Sequence, residues 1–238
     1  VATILVKQST GERAVFFERS TATEPKFLDI YKQLIESAYI LHINGRHRQL
    51  MRSAMAVAKE VGTIISLDGG AQRYDEDMKP ITEDSHIVIV ARDYAEKYTG
   101  TTNLEDACRI IHERGARIAS VTDGANGSYF VWPDGTFYRC EPFTQATVVD
   151  TTGAGDSFHG AFLANLVHTI NHMKGQDTTS TTKHDRASIH AVELLKACAH
   201  SDLEKAAIFA SAVASLNTQG IGGRSPLPTL KSVQELIG

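Results

Sequence analysis

The 238 residues carry 24 basic and 28 acidic side chains, a net charge of −4, and 42% of them are hydrophobic. That content suffices for one sizeable α/β core with a small appendage, and the charge balance offers no basic footprint for nucleic acid. No apolar run approaches the roughly 18 residues that a membrane-spanning helix requires.

The chain opens Val1-Ala2-Thr3-Ile4-Leu5-Val6, with no initiator Met and no signal-peptide pattern. This reads as the middle of a strand, so the chain is expected to be a fragment of a longer one. Residues 2–7 and 13–18 are apolar, β-rich runs separated by Ser9-Thr10-Gly11-Glu12, a hairpin signal. Residues 26–38 set Phe27, Ile30, Tyr31, Leu34, Ile35 and Ala38 at helical spacing. Tyr39-Ile40-Leu41-His42-Ile43 reads as a buried strand that ends at Asn44-Gly45-Arg46. A helix over about 50–61 follows, then a strand over 63–67 ending at Asp68-Gly69-Gly70, and another over 86–90. Helix 103–115 opens on Asn103 as N-cap, with Glu105 and Asp106 in its first turn. Strand 117–122 ends at Asp123-Gly124, and 127–140 reads as a hairpin turning at Pro133-Asp134-Gly135. After 147–149 the pattern is helical, over about 154–168, 189–199, 203–217 and from Leu230.

Residues 171–186 are polar and Thr-rich, an expected loop insertion. Its histidines, His172 and His184, lack metal-ligand spacing. His42, His47 and His86 lie in or at the ends of strands, and each read singly is structural. Cys108, Cys140 and Cys198 are far apart and form no C-x-x-C pair, which reads as free thiols in a reducing cytosol. Alternating, nearly all-apolar strands and helices predict a mostly parallel sheet covered on both faces. Ligands of such sheets sit at the carboxyl ends of the strands. Here those ends carry residues 44–46, 68–70, 122–124 and 150–153, expected to converge on one rim.

The stretch 148–162, VVDTTGAGDSFHGAF, sets small residues between two carboxylates just where a helix begins. A helix start leaves N–H groups unpaired and favours anions. Gly153, Ala154 and Gly155 let the backbone approach a ligand closely, so their N–H groups can cradle a phosphoryl group. A second negative charge beside that anion is unfavourable unless Asp156 has a chemical role, and the natural one is to take a proton from an attacking hydroxyl. Asp150, before the turn, suits a cation or a hydrogen bond that holds the turn. Alone, such a stretch is equally the start of an ordinary capped helix.

The stretch does not stand alone. Residues 150–156, DTTGAGD, resemble the D-T-x-G-A-G-D signature of the ribokinase-like (PfkB-type) family of sugar and nucleoside kinases at every position. Thr10-Gly11-Glu12-Arg13 resembles its T-G-x-R lid hairpin, and Val121 to Gly127 its V-T-x-G-x-x-G nucleotide loop. Gly220-Ile221-Gly222-Gly223-Arg224, followed by Pro226 and Pro228, is similar to its last loop, beside the adenine and a monovalent cation. Leu41 to Arg46 is similar to the matching strand of ketohexokinases.

The resemblance covers essentially the whole chain. It implies a three-layer α/β/α fold with a small β lid, residues 1–20 belonging to the lid and its return, and 21–238 to the nucleotide- and phosphate-binding core. It implies an ATP-dependent carbohydrate kinase acting on a primary hydroxyl, with Mg2+ and K+ as cofactors and a cytoplasmic setting. By resemblance, Asp156 is the base, and Gly153, Ala154, Gly155 and Asp156 form the anion hole. Arg46 contacts ATP phosphates, while Thr122, Gly124, Ala125, Asn126, Gly127, Gly220 and Gly222 line the nucleotide. Asp150 and the Thr152 carbonyl hold the K+-type cation. The expected partners are a sugar and ATP, with no nucleic acid or membrane; lid hairpins that pair between subunits in some relatives suggest a homodimer.

Two departures stand out. The family's N-x-x-E, which helps place Mg2+ and phosphate, is absent, with Ala91 and Tyr94 at its positions, and Asp93 and Asp68 are the candidate replacements. The family's front segment, which supplies a Gly-Gly sugar motif and an Asp, is missing, so the chain is expected to expose an apolar sheet edge and to bind sugar poorly. A nucleoside kinase and a non-catalytic nucleotide-binding fragment are the competing readings.

Overall fold

Two apolar runs joined by a short connection make the first element pair of the computed structural model, which describes residues 2–11, 13–17, 21–144, 147–176 and 191–238. Strand β1 (Ala2–Val6) pairs antiparallel with β2 (Arg13–Phe17), Val6 lying opposite Arg13. The turn closes where the Gly11 N–H donates to the Lys7 carbonyl at 2.8 Å. Ile4, Leu5, Val15 and Phe16 of this ribbon are exposed, so packing does not hold it.

After α1 (Asp29–Ser37) the chain builds a six-stranded sheet in sequence order. Strands β3 (Ile40–Ile43), β4 (Ile64–Gly69), β5 (Ile87–Ala91) and β6 (Ile118–Thr122) run parallel. β7 (Ser128–Val131) and β8 (Phe137–Cys140) continue it antiparallel, as the Pro133-Asp134-Gly135 turn dictates. Parallel neighbours need crossovers. These are α2 (Arg48–Val61), α3 (Lys79–Glu83), and the pair α4 (Arg92–Thr99) and α5 (Leu104–Glu113). Then follow α6 (Ala154–Gln176), α7 (Ala191–Ala197), α8 (His200–Asn217) and α9 (Leu230–Ile237).

Successive side chains of a strand point to opposite faces, and here both faces are covered. Ile65, Leu67, Val88 and Val90 pack with Met51, Met55 and Ile111 of the crossover helices. Ile64, Ile87, Ile118, Phe130 and Trp132 pack with Phe162 and Leu166 of α6 and Leu203 of α8. The result is three layers, helices on a mostly parallel sheet on helices, as expected from the sequence.

Three local readings change. Helix α4 is not foreseen by the sequence pattern, because its polar exposed residues mask the buried Tyr94, Ala95 and Tyr98. Helix α6 runs past residue 168 to Gln176 and takes in the first six residues of the expected loop insertion, while 177–186, with His184, lie outside the described residues. Residues 147–149 form no sheet strand; they cross the end of α8, where the Val149 and Asp150 N–H groups donate to the Thr218 carbonyl. The three cysteines are buried and free, and burial pushes the Cys108 thiol up to about 12 and Cys198 up to about 11.

Candidate active site

Helix α6 begins at a point where two backbones touch. Gly153 has φ +80°, and a Cβ there would stand 2.5 Å from the Gly223 Cα and 2.7 Å from its carbonyl oxygen. Only glycine permits both the conformation and the approach, so the loop 220–224 seats directly against the helix start. Gly155 differs: a Cβ on it would meet nothing within 4 Å. Ala154 donates to the Thr151 carbonyl at 3.3 Å and Ser157 to the Gly153 carbonyl at 2.8 Å. The first-turn N–H groups of Gly155 and Asp156 therefore lie on an open helix end, and the Asp156 carboxylate is exposed beside them.

Asp150 is the hinge of this arrangement. It is 2% exposed; one carboxylate oxygen accepts from the Thr152 N–H at 2.8 Å and the other from the Gly222 N–H at 2.9 Å. Burial alone would raise its pKa, but the hydrogen bonds from Thr152 and Gly222, with Arg13 nearby, hold the carboxyl below its ordinary range. Gly222 has φ +90°, which turns its N–H inward. The Thr152 carbonyl accepts from the Asn217 side-chain amide at 3.1 Å. Around it, Thr152 Oγ1 and Asn217 Oδ1 are buried with no hydrogen-bond partner. Orphaned buried oxygens beside a buried carboxylate are the donor set of a hard cation, so these residues fit the K+-type ion that the sequence led us to expect.

The hairpin reaches the same place. The Thr151 N–H and Oγ1 both donate to the Gly11 carbonyl, at 3.2 and 3.0 Å, and the Arg13 guanidinium donates to the Thr151 carbonyl. Gly11, at φ +70°, lies against Val148, where a Cβ would meet Cγ1 at 2.7 Å. Thus the Thr-Gly-x-Arg turn is tied to the residue after Asp150.

The expected nucleotide loop is a 3-10 turn, Gly124–Asn126, closed by Asp123. Asp123 accepts from Arg92 at 2.7 Å and from Asn126 Nδ2 at 3.0 Å, and Thr122 Oγ1 faces the Val90 carbonyl at 3.4 Å. The Asn126 side chain is thus engaged within the loop, and Gly124 and Ala125 are exposed beside it. Gly127, at φ +91°, packs against the Cys140 carbonyl. Arg46 is exposed on the turn after β3, with no ion-pair partner among the described residues; its N–H is held by Asn44 Oδ1 at 3.2 Å. Gly220 packs on Pro226.

On the α6 face of the sheet, Asp68 is largely enclosed and lies 3.4 Å from Arg73. Its pKa is raised by burial, lowered by Arg73 and raised again by the charge of Asp156. Asp93 accepts from the Gln72 N–H at 2.6 Å. Tyr94, at the position of the missing Glu, is in the core and hydrogen-bonded to Thr82 Oγ1 at 2.7 Å; burial pushes its phenol up to about 12. No three His, Cys, Asp or Glu side chains cluster as metal ligands among the described residues. Sequence reasoning missed Arg73, Asn217 and a buried group, His159 with Ser66, whose only local signal is the placing of His159 three residues after Asp156.

The pfkB family carbohydrate kinase model matches residues 1–230. The Arabidopsis thaliana protein named "Probable fructokinase-5" is 27% identical over 244 residues, covering 95% of this chain and 67% of that protein. The chain spans between about half and two thirds of the length of the curated plant fructokinases that it matches. The structure of adenosine kinase from Sinorhizobium meliloti superposes with a TM-score of 0.71 at 18% identity, covering 98% of this chain and 64% of that one. Fructokinase from Vibrio cholerae O395, solved with fructose, ADP and calcium ion, gives a TM-score of 0.68 at 18% identity, covering 100% and 73%; a double mutant of it was solved with fructose, ADP and potassium ion. At these identities the two structures share the fold.

Proposed function

The chain belongs to the pfkB family of carbohydrate kinases, and on that premise we propose that it moves a phosphoryl group from ATP to a primary hydroxyl of a sugar or sugar derivative. One observation carries the reading: an exposed Asp156 stands beside an open helix N-terminus that the Gly153–Gly223 contact holds in place. Phosphoryl transfer asks mainly for positioning and charge stabilisation. The N–H groups of Gly153 to Asp156 receive the transferring group, and Asp156 takes the acceptor's proton. Arg46 supplies a cation for the phosphates, and the backbone of Gly124 and Ala125, with the loop 220–222, takes the nucleotide.

Asp150, the Thr152 carbonyl, Thr152 Oγ1 and Asn217 Oδ1 would hold the monovalent cation, which when bound adds positive charge behind the anion site. Mg2+ would rest chiefly on ATP phosphates, since Asp93 and Asp68 already have partners.

ADP release by the full-length protein is to be followed with ATP and fructose, ribose, 2-keto-3-deoxygluconate or adenosine. One sugar should raise it well above background. Asp156→Asn should lower that turnover by on the order of 10² to 10⁴ while ADP still binds. Turnover within a few-fold of the parent would remove Asp156 as base, and adenosine as the only acceptor would make this a nucleoside kinase.

A further inference from the structure

On the face of the sheet opposite α6 lies a cavity of about 400 Å³, a size that suits a small ligand. Tyr129 of β7 and Phe137 of β8 line it and pack towards Leu104 and Cys108 of α5, whereas Phe130 between them in sequence packs towards α6. The two rings are half-buried, with centroids 6.4 Å apart, and floor the cavity. The proposed transfer site, at the start of α6, lies on the other face.

The carboxylates in the cavity wall are already engaged, and several of its donors are not. Asp123 accepts from Arg92 at 2.7 Å and from Asn126 at 3.0 Å, and Glu105 accepts from Arg109 at 2.7 Å. Arg92 gives Nε to Glu96 and Nη1 to Asp123, and its Nη2 has no hydrogen-bond partner among the described residues. Arg139 sits beside Tyr129, its guanidinium carbon 5.7 Å from the ring centre. Its ion-pair partner, Glu141, is 69% exposed, and a pair so open to water holds it weakly. Asn103 uses Oδ1 to cap α5, which leaves its amide N–H groups to donate. Guanidinium groups bind phosphate through paired donors, and aromatic rings take a planar base by stacking.

We propose that this cavity binds a nucleoside monophosphate, its base on Tyr129 and Phe137 and its phosphate on Arg92 and Arg139, and that the bound ligand loosens the nucleotide loop. Asp123 and Glu105 stand close by and disfavour a longer polyphosphate through like charge. The route to the loop is Arg92. Its guanidinium holds Asp123, and Asp123 holds Asn126 of the turn Gly124–Asn126. A phosphate on Arg92 competes with Asp123 for that cation, so monophosphate and ADP should weaken each other's binding by the same factor. The cavity stands without the kinase reading; only its effect on ADP rests on that reading.

The probe is adenosine monophosphate (AMP), followed by NMR through the ring signals of Tyr129 and Phe137. Those signals should shift saturably, with Overhauser contacts to the base protons. AMP should bind at least about tenfold more tightly than adenosine or inorganic phosphate. Equal affinity for either part alone, or AMP binding without contacts to these rings, overturns the site. Arg139→Glu, at a side chain 49% exposed, should keep the parent's melting temperature and weaken AMP by at least about tenfold. Thr102→Glu, at a second exposed wall residue, should act alike, and unchanged AMP affinity in both variants overturns the site. For the coupling, AMP should raise the Kd of ADP to a plateau of about fivefold in the parent, with no plateau in Arg139→Glu. A rise without limit in both proteins means competition at the donor site and overturns the coupling. A protein that binds AMP at these rings but no ADP refutes the kinase reading and leaves the cavity's ligand in place.

Discussion

Gly153 and Gly155 stand two residues apart and have opposite surroundings. Gly153 is at φ +80° with its missing Cβ position occupied by Gly223, whereas Gly155 has no positive φ and faces open space. Gly153→Ala should therefore cost more than the roughly 1–2 kcal/mol of a left-handed residue, since backbone must also move apart, and the melting temperature should fall with activity. Gly155→Ala should stabilise α6 by about 0.5–1 kcal/mol yet lower turnover, because its methyl enters the space the phosphoryl group needs. Thermal melts and ADP release on both variants separate these effects; a Gly155→Ala protein with full turnover would take that space out of the anion site. The small residues were legible in the sequence because helix-end chemistry is local. Asn217 was not, since its link to Thr152 spans 65 residues and nothing near it in sequence marks it.

Among the elements, the hairpin β1–β2 shows how a segment with little packing is tied to the site by hydrogen bonds. Its apolar residues are exposed, and its hold on the core runs through Gly11 and Arg13 to Thr151. Thr151→Val keeps the N–H bond to Gly11 and loses the hydroxyl bond, a loss of about 1 kcal/mol. That should make hairpin release roughly fivefold more frequent, read as faster proteolytic cutting near residues 7–11 without a matching fall in global stability. An unchanged cutting rate would mean that the hydroxyl bond adds nothing to the tether that the Thr151 N–H and Arg13 do not already supply. The strands β3 to β6 could be read from the sequence because burial on both faces writes a continuous apolar run. Helix α4 could not, because its exposed side carries Arg92, Asp93, Glu96 and Lys97, and only three of its eight residues face the core. Residues 147–149 looked like a strand because Val148 and Val149 are β-branched, but the main-chain partner is the end of α8, which no local pattern announces. The His159–Ser66 pair escaped for a similar reason: it needs the crossing of α6 over the sheet.

On the scale of the whole molecule, Asp150 joins parts that are far apart in sequence, since one carboxylate reaches the start of α6 and the loop after α8. A cation bound there would brace the loop against the proposed anion hole, so cation and nucleotide should favour each other's binding, and by linkage each must raise the other's affinity by the same factor. The single tryptophan offers a probe. Trp132 is fully buried against Phe130, with ring centroids 4.7 Å apart, on the face that packs α6. Its fluorescence should report global unfolding. A ligand at 100 times its Kd adds about 2.7 kcal/mol to the folded state, so ADP should raise the Trp132 transition, and raise it more in K+ than in a large organic cation. Asp150→Asn should remove that difference while leaving a shift from ADP, because the first-turn N–H groups remain. If the ADP shift is the same in both salts for the parent protein, the buried oxygens around Asp150 hold no cation, and its charge is satisfied by the N–H groups of Thr152 and Gly222 with Arg13 nearby.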